Sequence, residues 1–146
     1  MDAKSIREKL MNRKPKVELL DIPLPDLPEL DGQIYVMEIS GQDMSWAKAK
    51  ATDQDGVMNE EKANAASMAR SLIEKEAYDR DGTYVRIFSD DDIDFIAGTK
   101  DVRGFGSTII LSIMSRVNRV SGMTNDFLKT LGANSTPTTN TGSASN

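Results

Sequence analysis

Residues 101–131 read DVRGFGSTIILSIMSRVNRVSGMTNDFLKTL, and most of this stretch is predicted to form one long amphipathic helix. The two glycines that precede Ser107 each weaken a helix by about 1 kcal/mol relative to alanine, so the helix is expected to begin at Ser107. Ser121-Gly122 supplies its stop, and Thr124 is a suitable N-cap for a short following helix. The apolar residues recur every three or four positions and so share one stripe: Val102, Phe105, Ile109, Ile110, Ile113, Met114, Val117 and Val120.

Composition limits the function classes. The chain has 146 residues, which favours one domain, and a formal net charge of −5, which disfavours nucleic acid or an anionic membrane as a partner. It contains neither cysteine nor histidine, so disulfides, thiolate metal sites and histidine-dependent catalysis are excluded. Met1–Lys16 lacks the apolar run of a signal peptide, and Thr108–Met114 is too short to span a bilayer. We expect a soluble cytoplasmic protein that is not an enzyme and binds no cofactor or metal.

The N-terminal third is predicted to form a helix and a β-hairpin. Ser5 has the capping-box spacing to a glutamate and is the expected N-cap of the helix. Residues 16–22 and 33–39 have strand-like patterns, and the proline-rich segment between them can be neither a helix nor a central strand. A two-stranded hairpin is marginal in water, so it should lean on a helix or on another subunit.

The middle of the chain is predicted to be helical. One helix follows Ser40, a second runs from Asn59 to about Ala77, and a third lies between Ser89 and Gly98, with a short strand at 83–88 before it. The predicted fold class is therefore mainly α (α+β): a small helical domain, residues 1–131, with a short N-terminal β-hairpin. Residues 132–146 have almost nothing to bury and are predicted to be a disordered polar tail.

Three kinds of motif have both a functional and a structural interpretation. Residues 90–94 include four aspartates, and hard cations prefer oxygen ligands, yet acids after Ser89 are also typical of a capped helix start. Asp53–Gly56 and Asp79–Gly82 resemble the start of a calcium loop, but their glycine comes fourth rather than sixth. Gly104-Phe105-Gly106 lacks the third glycine of a dinucleotide site. The structural interpretation is favoured in each case.

Apolar side chains are the other candidates for function. Trp46 is of the residue type most enriched in interface hot spots, although a single tryptophan in a small domain is about as often part of the core. The chain has 8 methionines, which adapt to varied apolar surfaces and would suit a chaperone. Filling gaps in the core is the favoured alternative for most of them.

The order of these features, from Ser5 to Leu131, resembles that of the tail assembly chaperones of long-tailed bacteriophages. In that family an aspartate-glycine turn commonly precedes a phenylalanine-serine-aspartate helix start, as it does here. Ser121-Gly122-Met123-Thr124 stands where the family commonly has asparagine-glycine-leucine-threonine. The features that carry the resemblance are Ser5-Ile6-Arg7, Val17-Glu18, the strand-to-helix passage from Tyr35 to Gly41, Asp81-Gly82, the segment from Ile87 to Ile93, and the end of the long helix from Arg119 to Thr124.

The resemblance implies a non-catalytic assembly factor. Such a protein binds and solubilises the tape-measure protein, helps recruit major tail protein, self-associates, and works in the host cytoplasm without remaining in the mature virion. Strand addition at the edge formed by residues 35–39 is expected to help self-association. The alternative is a small structural protein of the tail or head-tail connector. The side chains expected to contact partners are Trp46, Met44, Tyr35, Met37, Ile109, Ile113, Met114 and Val117.

Overall fold

A computed structural model describes residues 1–123, and the fold class agrees with the prediction: it is mainly helical with a small antiparallel sheet. The predicted helix after Thr124 and the predicted tail lie outside the described residues. The elements, in chain order, are α1 (Ala3–Met11), β1 (Val17–Leu19), β2 (Ile34–Met37), α2 (Gly41–Ala51), α3 (Glu60–Ser71), β3 (Leu72–Glu74), α4 (Lys75–Asp81), α5 (Ile93–Ala97) and α6 (Ser107–Val120), with 3-10 turns at Pro28–Leu30 and Asp90–Asp92.

Helix α6 has the limits that the sequence predicts. It begins at Ser107, and Gly122 after it has φ 76°, the left-handed conformation that ends a helix. One stripe of α6 enters the core and packs on α3 and β2. The buried residues of this stripe are Ile110, Ile113, Val117 and Val120.

The sheet has the order β1-β2-β3, with all neighbours antiparallel. The predicted hairpin is β1 and β2, which pair with Val17 opposite Met37. The third strand was not predicted, and it pairs Ile73 with Tyr35 on the other side of β2. Because β2 is the central strand, its two edges are already hydrogen-bonded, and the predicted strand addition at residues 35–39 is wrong.

Strand β3 also corrects the predicted helix from Asn59 to Ala77. The helix ends at Ser71, whose buried hydroxyl donates a hydrogen bond to the carbonyl of Met37 at 2.6 Å. The chain then becomes extended because both sides of β3 find partners: β2 on one side and residues 85–87 on the other, where the Ile87 amide donates to the Leu72 carbonyl at 3.1 Å. The strand predicted at 83–88 is only an isolated bridge, between Ile73 and Arg86.

Side chains cap the starts of several helices. Ser40 caps α2 and Asn59 caps α3, each accepting a hydrogen bond from a backbone amide in the first turn. Ser89 and Asp92 form a capping box, as the structural interpretation of residues 90–94 predicts. The prediction for α1 is wrong, because its N-cap is Asp2, whose carboxylate accepts from the Ser5 amide at 2.9 Å.

Two glycines form a tight crossing before α6. Gly98 and Gly104 have φ values of 88° and 77°, and a Cβ built on Gly104 would lie 2.6 Å from the Gly98 nitrogen. Only glycine fits there. The crossing brings the ends of the exposed loop 99–103 together, and the Phe105 amide donates to the Ile96 carbonyl at 2.9 Å beside it. The motif Gly104-Phe105-Gly106 therefore has a structural role.

Candidate partner-binding groove

An open groove lies between α2, α3 and α6, with a volume of about 530 Å³. Four methionines line it: Met44 from α2, Met58 from the loop before α3, Met114 from α6 and Met123 beyond the end of α6. We call this surface the methionine groove. Small side chains of α2 and α3 also line it, which keeps the space between the methionines open.

The loop between α2 and α3 returns Met58 to the groove. The carboxylate of Asp53 accepts from the amides of Asp55 and Val57, both at 2.9 Å, and Gly56 turns the chain with φ 81°. Thr52 then pairs with Met58 in a β-bridge. The motif that resembled a calcium loop is therefore an aspartate-stabilised turn that positions a groove side chain.

The opposite wall is formed by α6 and the turn that follows it. Met114 is half-buried at the margin of the apolar stripe. The Met123 amide donates to the Asn118 carbonyl at 2.7 Å, so the chain folds back beside α6 after Gly122. The Ser121 hydroxyl accepts from the Ile39 amide at 3.0 Å, which ties this turn to the end of β2.

The chemistry of the groove is that of apolar binding. Among residues 1–123, the ionisable side chains that line it are Lys48 and Glu60, one of each sign. Methionine side chains are unbranched and polarisable, so a surface of them can fit apolar residues of different shapes. An amphipathic helix that presents residues at spacings of three and four is the kind of ligand that such a groove accepts.

Trp46 lies on α2 but not among the residues that line the groove. The Arg70 guanidinium covers its ring at 3.8 Å from the centroid. Arg70 also bonds to Asp43 at 2.9 Å and to both oxygens of Asp90 at 2.9 Å. Hydrogen bonds from Arg70, and then from Arg86, hold the pKa of the Asp90 carboxyl below its ordinary value of 3.8. This cluster joins α2, α3 and the turn before α5.

Tyr35 and Met37 lie on β2, away from the groove lining. The Tyr35 ring meets that of Tyr78 edge to face at 5.4 Å, and its hydroxyl donates to Asp79 at 2.7 Å. This hydrogen bond raises the pKa of Tyr35. Met37 is half-buried, and its carbonyl accepts the hydrogen bond from Ser71.

The residues of α6 that were predicted to contact a partner lie partly in the core and partly at its margin. Ile113 is 4% exposed and packs in the core outside the groove lining, so the prediction that it contacts a partner is wrong. Val117 is also a core residue, at 0% exposed, but it is among the residues that line the groove. Ile109 is half-buried against the core. Of the eight predicted residues, the groove brings together Met44, Met114 and Val117.

Sequence reasoning missed two of the four methionines as contact residues. Met58 follows a polar turn and Met123 follows a helix stop, so neither belongs to an amphipathic pattern. The available signal was the position of the two methionines, Met58 shortly before α3 and Met123 shortly after α6. It indicates that they lie on one surface only when these helices are known to pack together.

The acidic motifs have structural partners. Asp90 is bound by arginines, and Asp92 accepts from the Ser89 amide at 2.7 Å. Asp79 is paired with Lys75 at 2.6 Å. Among residues 1–123, no group of three or more acidic side chains is arranged to hold a metal ion.

Neither a protein-family model, nor a curated protein, nor a solved structure matches this chain. Of the helices that the structure describes, none has both the length and the apolar character needed to cross a membrane.

Proposed function

We propose that this protein is a tail assembly chaperone of a long-tailed bacteriophage, which binds and solubilises the tape-measure protein and helps recruit major tail protein. The observation that carries the proposal is the methionine groove, an adaptable apolar surface between three packed helices. The order of sequence features from Ser5 to Leu131 supports the phage assignment. The proposed protein is non-catalytic and acts in the host cytoplasm.

The groove suits transient binding. Burying one leucine or methionine side chain contributes roughly 1.5–3 kcal/mol, and a groove of this size receives about two or three such side chains. Association itself costs an estimated 4–15 kcal/mol, so one groove yields a weak complex and several copies along an elongated partner yield a strong one. Because each contact is weak, the chaperone can dissociate when the tail is built.

Co-expression with the cognate tape-measure protein tests the proposal. We expect the tape-measure protein to become soluble and to be retained on the tagged chain. The double variant Met44→Glu with Met58→Glu should abolish retention, because both changes place charge in the groove. Glutamate keeps the helix propensity of position 44 on α2, and Met58 lies outside the helices. Leu111→Glu is the matched control, since Leu111 is exposed on α6 and is not among the groove residues.

Circular dichroism confirms that each variant folds before its binding is measured. Absence of both retention and solubilisation with the unaltered chain would contradict the proposal. Mass spectrometry of purified particles tests the escort role separately: we expect the chain to be absent from mature virions, and a stoichiometric amount would favour the alternative of a small structural virion protein.

A further inference from the structure

Helix α1 presents an apolar face to solvent. Ile6, Leu10 and Met11 lie at positions i, i+4 and i+5, and are 45%, 67% and 69% exposed. Against the part of the chain that the structure describes, α1 buries none of its residues. An amphipathic helix is stable mainly when its apolar face is covered, so this face calls for a partner.

The base of α1 is fixed to the body. Arg13 donates to both carboxylate oxygens of Glu38, at 2.8 and 2.7 Å, and Glu38 also accepts from the Lys16 amide at 3.2 Å. Pro15 restricts the backbone between these anchors. The helix is therefore held at its C-terminal end and extends from the body as an arm, which we define as residues 1–16.

The arm and the body have opposite charges. Residues 1–16 contain six lysines and arginines and two acids, whereas the rest of the chain contains 12 basic and 21 acidic residues. An acidic body repels other acidic bodies, but it attracts a basic arm. The chain thus contains a basic arm and an acidic body whose charges are complementary.

We propose that the arm docks on the acidic body of a second copy of this chain, with its apolar face against that copy and its basic residues around the contact. Reciprocal exchange about a two-fold axis would cover both arms at once. A membrane is the less favoured occupant, because the arm has no aromatic residue and the body is acidic. The inference does not depend on the methionine groove.

Sedimentation equilibrium of the full chain over a concentration series tests this proposal. We expect a dimer whose dissociation constant rises more than about tenfold in Ile6→Glu with Leu10→Glu, and also in Arg7→Glu with Lys9→Glu. Glutamate keeps the helix propensity. Leu111→Glu again serves as the control, since it adds charge at an exposed leucine outside the arm.

The dependence of dimer formation on ionic strength is the second measurement. Raising the ionic strength from about 0.05 M to about 0.5 M should weaken the dimer of the unaltered chain. The proposal would be overturned by a chain that stays monomeric, by a dimer that neither pair of arm substitutions weakens, or by a dimer that is insensitive to salt. It would also be overturned if the chain floated with phosphatidylserine vesicles in place of self-association. Retention of tape-measure protein by the arm variants reports on the groove separately.

Discussion

Helices α2 and α3 meet in two different ways along their length. Ala66 of α3 lies one turn before Arg70, which bonds to Asp43 of α2, and it is fully buried; we call this close contact between the two helices the seam. At the adjacent methionine groove, small residues of both helices lie beside flexible methionines, and the surface stays open. The difference shows that small residues on one helix can either pack against a neighbouring helix or leave space that flexible side chains line.

The sharpest test of this contrast uses two alanines that are three residues apart on α3. Ala66 is 0% exposed in the seam, and Ala63 lines the groove. Ala66→Leu should lower the free energy of unfolding by about 3 kcal/mol, because the close-packed seam has no room for the added side chain. Ala63→Leu should cost less than about 1 kcal/mol while reducing retention of the tape-measure protein. Urea denaturation measures both, and equal losses of stability would remove the distinction.

We expect the cluster around Arg70 to stabilise the packing of α2 against α3 at the seam. Arg70→Ala removes the bonds to Asp43 and Asp90 and uncovers the Trp46 ring. We expect a loss of about 2 kcal/mol, less than the full value of such bonds because Asp90 is partly exposed. Arg80→Ala is the control, since that side chain is largely exposed. Thermal unfolding that is unchanged in Arg70→Ala would show that alanine packing alone maintains the seam.

The smallest expected effect is that of Asp90 on how the stability of the fold depends on pH. The pKa of Asp90 is below 3.8 in the folded chain and returns to that value on unfolding, so its contribution to stability is complete above about pH 5. This contribution is lost as the pH falls through the lower folded-state pKa. Asp90→Asn should therefore flatten the decline of the melting temperature with acidification. An identical decline in the variant would assign acid sensitivity to other carboxylates.

Local signals predicted some of this structure well. Helix α6 has its predicted start because glycines precede Ser107 and a regular stripe follows it. Strand β3 was missed because residues 72–74 continue the spacing of α3, and only pairing with β2 and with residues 85–87 makes them extended. Sheet pairing is a long-range property that single-sequence periodicity does not contain.

The candidate site was predicted only in part for the same reason. Met44 and Met114 lie on recognisable helices, so their contribution to a surface could be expected. The groove also needs Met58, in the turn between α2 and α3, and Met123, in the turn after α6. Trp46 had a plausible role as an interface anchor, but Arg70, distant in the sequence, covers its ring.

The crossing of Gly98 and Gly104 has a practical consequence. Because these two residues hold the ends of loop 99–103 in place, the length of the exposed tip is decoupled from the entry of the chain into α6. Lengthening an exposed loop costs little entropy, and each doubling of its length adds only about 0.6 kcal/mol. The tip is therefore a suitable place to insert a fluorescent reporter, with which the protein could be followed in living cells.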